Sequence, residues 1–147
     1  MSNFSDEHEL TRFADSYIAL WNEADPQARR ERLRELWTDD GVQVLVNPPQ
    51  GMRDALATLA VPLPSVEIRG RDAMERRVDA AFQMFVAPGE NEFAPGGPAV
   101  RLAGNLIGLA WRMVATKDGA VTGGGYDVVL VDGDGRVRWD HQYVGVS

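Results

Sequence analysis

Asp127 is a lone acid in Tyr126-Asp127-Val128-Val129-Leu130-Val131, a run that otherwise reads as a buried strand. A carboxylate walled in by Val and Leu loses hydration. Its pKa then rises, and it becomes suited to passing a proton near neutral pH. The plainer alternative is an Asp near the strand start, hydrated at an open rim or bonded to a backbone amide. A second polar group follows in Val137-Arg138-Trp139-Asp140-His141-Gln142-Tyr143-Val144. The segment Asp132-Gly133-Asp134-Gly135 between them is a tight turn, so the two runs form a hairpin. Plain alternation groups Val137, Trp139, His141 and Tyr143 on one face, and a three-residue turn then sets Asp127 opposite His141 as a carboxylate–imidazole pair.

Four more kinds of residue could serve such a site. Tyr17 lies within the apolar stripe of the first helix, so its hydroxyl meets a core carbonyl or points into a cavity. Asn105 can bond a ligand carbonyl or tie down a loop end. Trp21 and Trp111 are core residues or ligand stackers. Phe82 belongs to the buried face of the third helix and could line the same wall.

Other chemistries have no residues to carry them. The 147-residue chain has no Cys, which excludes disulfides, thiolate metal sites and a Cys nucleophile. His8 and His141 are the only histidines, and neither has a metal-ligand spacing around it. No metal and no cofactor are therefore expected. Gly123-Gly124-Gly125 enters a strand rather than a helix, so it is no phosphate loop. No nucleophile elbow offers a Ser-His-Asp arrangement. A net charge of −7, from 15 basic and 22 acidic residues, disfavours nucleic acid and anionic membrane. The run Arg29-Arg30-Glu31-Arg32-Leu33-Arg34-Glu35 alternates with acids and reads as a solvated helix face. The acidic N-terminus has no apolar core and is no signal peptide. No apolar run approaches the roughly 18 residues of a membrane span. A cytoplasmic location is the expectation.

The elements that must position these residues follow from pattern. Ser5 is placed to cap a first helix bearing Leu10, Phe13, Ala14, Tyr17, Ile18 and Trp21 at helical spacing. Asp25-Pro26 restarts the chain as a second helix running to about Trp37, with Leu33 and Leu36 buried. Thr38-Asp39-Asp40-Gly41 reads as a turn, and Val42 to Val46 as a short strand. Residues 47–67, broken by Pro48, Pro49, Pro62 and Pro64, read as an irregular lid, with a possible short helix from Met52 to Leu59. Gly70-Arg71-Asp72 leads into a third helix, with Asp72 and Glu75 as a reciprocal cap. Pro88 to Pro98 reads as a loop. Strands follow from Val100, with Asn105, Ile107, Leu109, Trp111 and Met113 toward the helices and Arg112 on the wetter face. The plan is a single α+β domain over residues 1–147. An antiparallel sheet curled around N-terminal helices would leave a cone open at one end.

The strings Tyr17-Ile18-Ala19-Leu20-Trp21-Asn22-Glu23-Ala24-Asp25-Pro26 and Leu36-Trp37-Thr38-Asp39-Asp40-Gly41-Val42 resemble the opening of SnoaL-like proteins of the nuclear transport factor 2-like superfamily. Gly70-Arg71-Asp72-Ala73-Met74 and the stretch from Gly125 to Tyr143 are similar too, so the resemblance spans nearly the whole chain. It implies a conical α+β barrel, commonly a homodimer paired through the sheet. It also implies that Asp140, Gln142 and Val144 are the pocket residues of the last strand, which a bulge after Val137 would reconcile with Val137 inward, and that Trp139, His141 and Tyr143 face the dimer partner. The superfamily includes ketosteroid isomerase, polyketide cyclases, epoxide hydrolases, dehydratases and non-catalytic binding domains. Tyr17 and Asp127 match the residues that hold the enolate oxygen in ketosteroid isomerase, but its general base falls at or near Leu45, which takes no proton. The Asp-Arg-Asp set of the epoxide hydrolases has no counterpart in Asn105 to Met113, and its last member falls at Gln142. SnoaL-type cyclases use a strand Asp as acid/base, and Asp127 is similarly placed. The resemblance thus implies a cofactor-free enzyme of cyclisation, isomerisation or dehydration on a hydrophobic oxygenated molecule. Asp127 would be the acid/base, Asp140 and Gln142 its partners, and Tyr17 and Asn105 the oxygen ligands. A non-catalytic ligand-binding domain and a dimerising module with a filled core are the other two classes.

Overall fold

A computed structural model describes residues 6–46 and 66–145. The expected lid and the helix from Met52 to Leu59 fall almost wholly outside these residues, as does Ser5.

Helix α1 is Glu7–Asn22, capped by Asp6, whose Oδ1 accepts the Glu9 amide at 2.8 Å. Its stripe of Leu10, Phe13, Ala14, Tyr17, Ile18 and Trp21 is buried as the spacing predicts. Helix α2 is Pro26–Leu36, with Pro26 in its first turn and the Ala28 amide on Asp25 Oδ2 at 3.0 Å. The Arg run on α2 is not wholly solvated. Arg29 is buried, donates to Glu23 O and to Asp79 Oδ1 at 2.7 Å, and lies over the Phe82 ring. A buried guanidinium needs this many partners, so Arg29 ties α2 to the third helix.

Helix α3 is Arg71–Ala81, continued by a π-helical turn from Phe82 to Val86. The reciprocal cap expected of Asp72 and Glu75 does not form. Gly70, at φ +85°, takes the cap position and places Asp72 inside the first turn, while Glu75 pairs with Arg30. Met74, Val78 and Ala81 face the core.

Seven strands form one sheet: β1 Trp37–Leu45, β2 Val66–Arg69, β3 Asn91–Pro95, β4 Val100–Ala103, β5 Leu106–Ala115, β6 Val121–Val131 and β7 Val137–Val144. The order is β2-β1-β7-β6-β5-β3, with β4 also beside β5. The α+β plan is as expected. The sheet is mixed, because β1 pairs with β7 in parallel, and it does not close into a barrel. The Thr38–Gly41 turn is instead the bulged first half of β1. The Pro88–Pro98 loop contains β3, where Pro95 is tolerated because β3 ends the sheet order. The helices cover one sheet face and bury Ile107, Leu109, Val129, Val131 and Val137 against it. Among the described residues no helix is long and apolar enough to cross a membrane.

Candidate active site

The β6–β7 hairpin contains the bulge that decides the register. Val131 pairs with Val137 and Leu130 with Trp139, leaving Arg138 as the extra residue. Asp132 Oδ1 closes the turn by accepting the amides of Asp134 and Arg136 at 2.9 and 3.0 Å. Past the bulge, Asp140 lies opposite Val129 and Gln142 opposite Asp127. All four are buried with the helix-facing side of the sheet. His141 is opposite Val128, exposed, and stacked on Trp139 with ring centroids 6.1 Å apart. An Asp127–His141 dyad therefore does not form among the described residues: the bulge turns His141 to the outer face, away from the cavity beside Tyr17.

Tyr17 joins the two acids. Its Oη is 2.8 Å from Asp127 Oδ2 and 2.5 Å from Asp140 Oδ2. A phenol has one proton to donate and can accept one in return. Two ionised carboxylates cannot both be satisfied by it, so the unit holds a carboxyl proton. Burial pushes Asp127 well above the usual carboxylate range, and the charge of Asp140 pushes it further. The hydrogen bond donated by Trp111 only partly opposes this. Burial likewise raises the Tyr17 phenol, with the charges of Asp127 and Asp140 adding to it. The proton is best placed on Asp127, which donates to Tyr17 while Tyr17 donates to Asp140; the shorter bond is then the charge-assisted one.

A second layer orients the acids. Trp111 Nε1 donates to Asp127 Oδ1 at 2.8 Å, and Gln142 Nε2 lies 3.3 Å from both Asp127 oxygens. Gln43 Nε2 donates to Asp140 Oδ2 at 3.2 Å. Arg77 closes a ring by donating from Nε to Gln43 Oε1 at 3.2 Å and from Nη2 to Gln142 Oε1 at 3.1 Å. Each glutamine amide thus carries the pull of the guanidinium to one acid. With one carboxyl protonated, the ring is neutral. Asp140 Oδ1 is buried with no partner.

Beside this ring lies a cavity of about 340 Å³. Ile18, Trp21, Phe85, Phe93, Trp111 and Met113 form most of its wall, and Gly123 and Gly124 leave part of it bare. Tyr17, Gln142 and Arg77 supply its polar side chains. Asp127 and Asp140 are fully buried and lie behind that wall.

Of the expected site residues, the structure brings together Asp127, Asp140, Tyr17, Gln142, Trp21 and Trp111. It places Asn105 and Phe82 elsewhere. Asn105 sits in the β4–β5 turn, with its carbonyl on the Val131 amide at 3.1 Å, at the end of β5 away from the cavity. Phe82 packs under Arg29, and Phe85, further along the π-helical turn, lines the cavity instead. Arg77 was legible: it lies three residues after Met74 and four before Ala81, a cation on the buried stripe. Gln43 gave no such signal, because Val42, Val44 and Leu45 around it are all buried as well. Among the described residues no three His, Asp or Glu group as metal ligands.

No protein-family model and no curated protein matches the sequence. Solved structures do match. A candidate isomerase of the SnoaL-like family from Agrobacterium tumefaciens is 24% identical, with a TM-score of 0.69 over 92% of this chain and 96% of that one. A nuclear transport factor 2-like protein of unknown function from an Exiguobacterium species is 17% identical, at 0.60 over 92% and 99%. A candidate polyketide cyclase from Sinorhizobium meliloti is 14% identical, at 0.57 over 93% and 98%. The chain has the SnoaL-like, nuclear transport factor 2-like fold.

Proposed function

We propose that this chain is a cofactor-independent enzyme of proton-transfer chemistry, cyclising, isomerising or dehydrating a hydrophobic oxygenated molecule such as a polyketide or steroid-like compound. The observation that carries this reading is the single Tyr17 hydroxyl held between Asp127 and Asp140 at the wall of an apolar cavity. Asp127 gives its proton to Tyr17 Oη as Tyr17 gives its own to a substrate oxygen, and the reverse sequence takes a proton back. Asp127 and Asp140 hold the proton reserve, Tyr17 conducts it, and Gln142 and Trp111 fix the geometry. The candidate isomerases and the candidate cyclase that share the fold support the reaction class. A homodimer through the outer face of β7, where Trp139, His141 and Tyr143 stand, belongs to the same proposal.

Incubating the protein in D₂O with a panel of apolar ketones and β-keto esters tests it. Mass spectrometry should find deuterium at carbon with at least one compound. Asp127→Asn and Tyr17→Phe should each slow the exchange by about 10²–10⁴-fold. Exchange that survives Asp127→Asn unchanged would remove the mechanism. One observation favours the second reading, a non-catalytic binding protein: both carboxyls lie behind the cavity wall rather than in it. Compounds that bind without any exchange would decide for it.

A further inference from the structure

Arg77 meets the two acids only through the amides of Gln43 and Gln142. Among the described residues no carboxylate oxygen lies within 4.0 Å of its guanidinium. Its bonds go to two neutral amides, and no described residue accepts from Nη1. Burial works against its charge, which the acidic cluster behind the glutamines sustains. The guanidinium lies over the Trp21 ring, 5.3 Å from the centroid, and both side chains line the cavity. A charged donor with an unbonded N–H beside apolar surface is costly. An otherwise apolar wall therefore holds one cationic donor for which no described residue supplies a further acceptor.

We propose that the cavity takes an amphipathic carboxylate, its two oxygens on Arg77 and its apolar body against Trp21, Phe85, Phe93 and Met113. A planar two-oxygen acceptor matches the guanidinium fork better than a single carbonyl does. The inference stands on the cavity wall alone, and it narrows the substrate class of the proton-transfer reading if that reading holds.

Calorimetric titration with 2-naphthylacetate and its neutral amide, 2-naphthylacetamide, tests it. The acid should bind the wild-type protein at least tenfold tighter than the amide, with an advantage that shrinks as salt is added. Arg77→Gln should bring the acid down to the level of the amide. Equal binding of acid and amide to the wild type overturns the proposal, as does failure of both to bind; neither result needs a folded Arg77 variant. Preference for the acid without any deuterium exchange would remove only the enzymatic reading. Exchange without that preference would remove only this one.

Discussion

Strands β5 and β6 run side by side along their length, yet their two ends do opposite things. At one end Ile107, Leu109, Val129 and Val131 are sealed against the helices, each at most 2% exposed. At the other, Trp111 pairs with Gly125 and Met113 with Gly123, and the cavity lies beside them. Backbone pairing is continuous through both halves apart from a bulge near Met113, so the sheet itself does not make the difference. Side-chain volume does. Leucine and β-branched residues fill one end to native density, whereas successive glycines contribute nothing at the other. Asp127 stands at the boundary, opposite Leu109, between the packed half and the hollow one.

The sharpest way to break this contrast is to remove volume from each half in turn. Leu109→Ala should cost about 2–5 kcal/mol, because it opens a void in a filled core. Met113→Ala removes a chain that already borders empty space, so its cost should stay near about 1 kcal/mol. Urea denaturation of the two variants checks this, and equal losses would mean that the hollow half collapses in solution.

Adding volume probes the hollow half from the other side. A Cβ on Gly125 would lie 2.5 Å from Trp111 Cζ2 and would also meet the Tyr143 carbonyl. Gly125→Ala should therefore cost about 1–3 kcal/mol. It should also shift the Trp111 ring off Asp127, which indole fluorescence would register. A Cβ on Gly123 meets only Met113 atoms, the nearest at 3.4 Å. Gly123→Ala should leave the denaturation midpoint nearly unchanged while shrinking the cavity.

The packed half was the legible one. Helical spacing in α1 and alternation in β5 name their buried residues directly, because burial is what those periods encode. Asp127 was legible for a related reason, as a polar break in an apolar strand. The hairpin register was not. One extra residue, Arg138, exchanges the roles of His141 and Gln142: plain alternation points to His141, and only the family resemblance points to Gln142. The two-sided burial of β1 hid Gln43, and the prolines of 88–98 hid β3, because a sheet edge accepts a residue that a central strand would reject. The cap at Asp72 failed because the helix starts two residues earlier: glycine at position 70 can adopt the positive φ that caps α3 there.

The smallest effect per unit change, and the most specific to the boundary, is the pH dependence of Asp127. Its pKa in the native protein is raised, chiefly by burial, while in the unfolded chain it returns to about 3.9. Between those two values the native state keeps a proton that the unfolded state has lost. Stability from this proton is fully present below the unfolded value and is lost as pH rises through the native one. The slope is at most about 1.4 kcal/mol per pH unit for one proton. Asp127→Asn abolishes the difference between the two states. Urea midpoints measured from pH 4 upward should therefore fall more steeply for the wild type than for the variant. Parallel curves would mean that the carboxyl at the boundary is hydrated in solution and that the hollow half reaches one residue further than the structure places it.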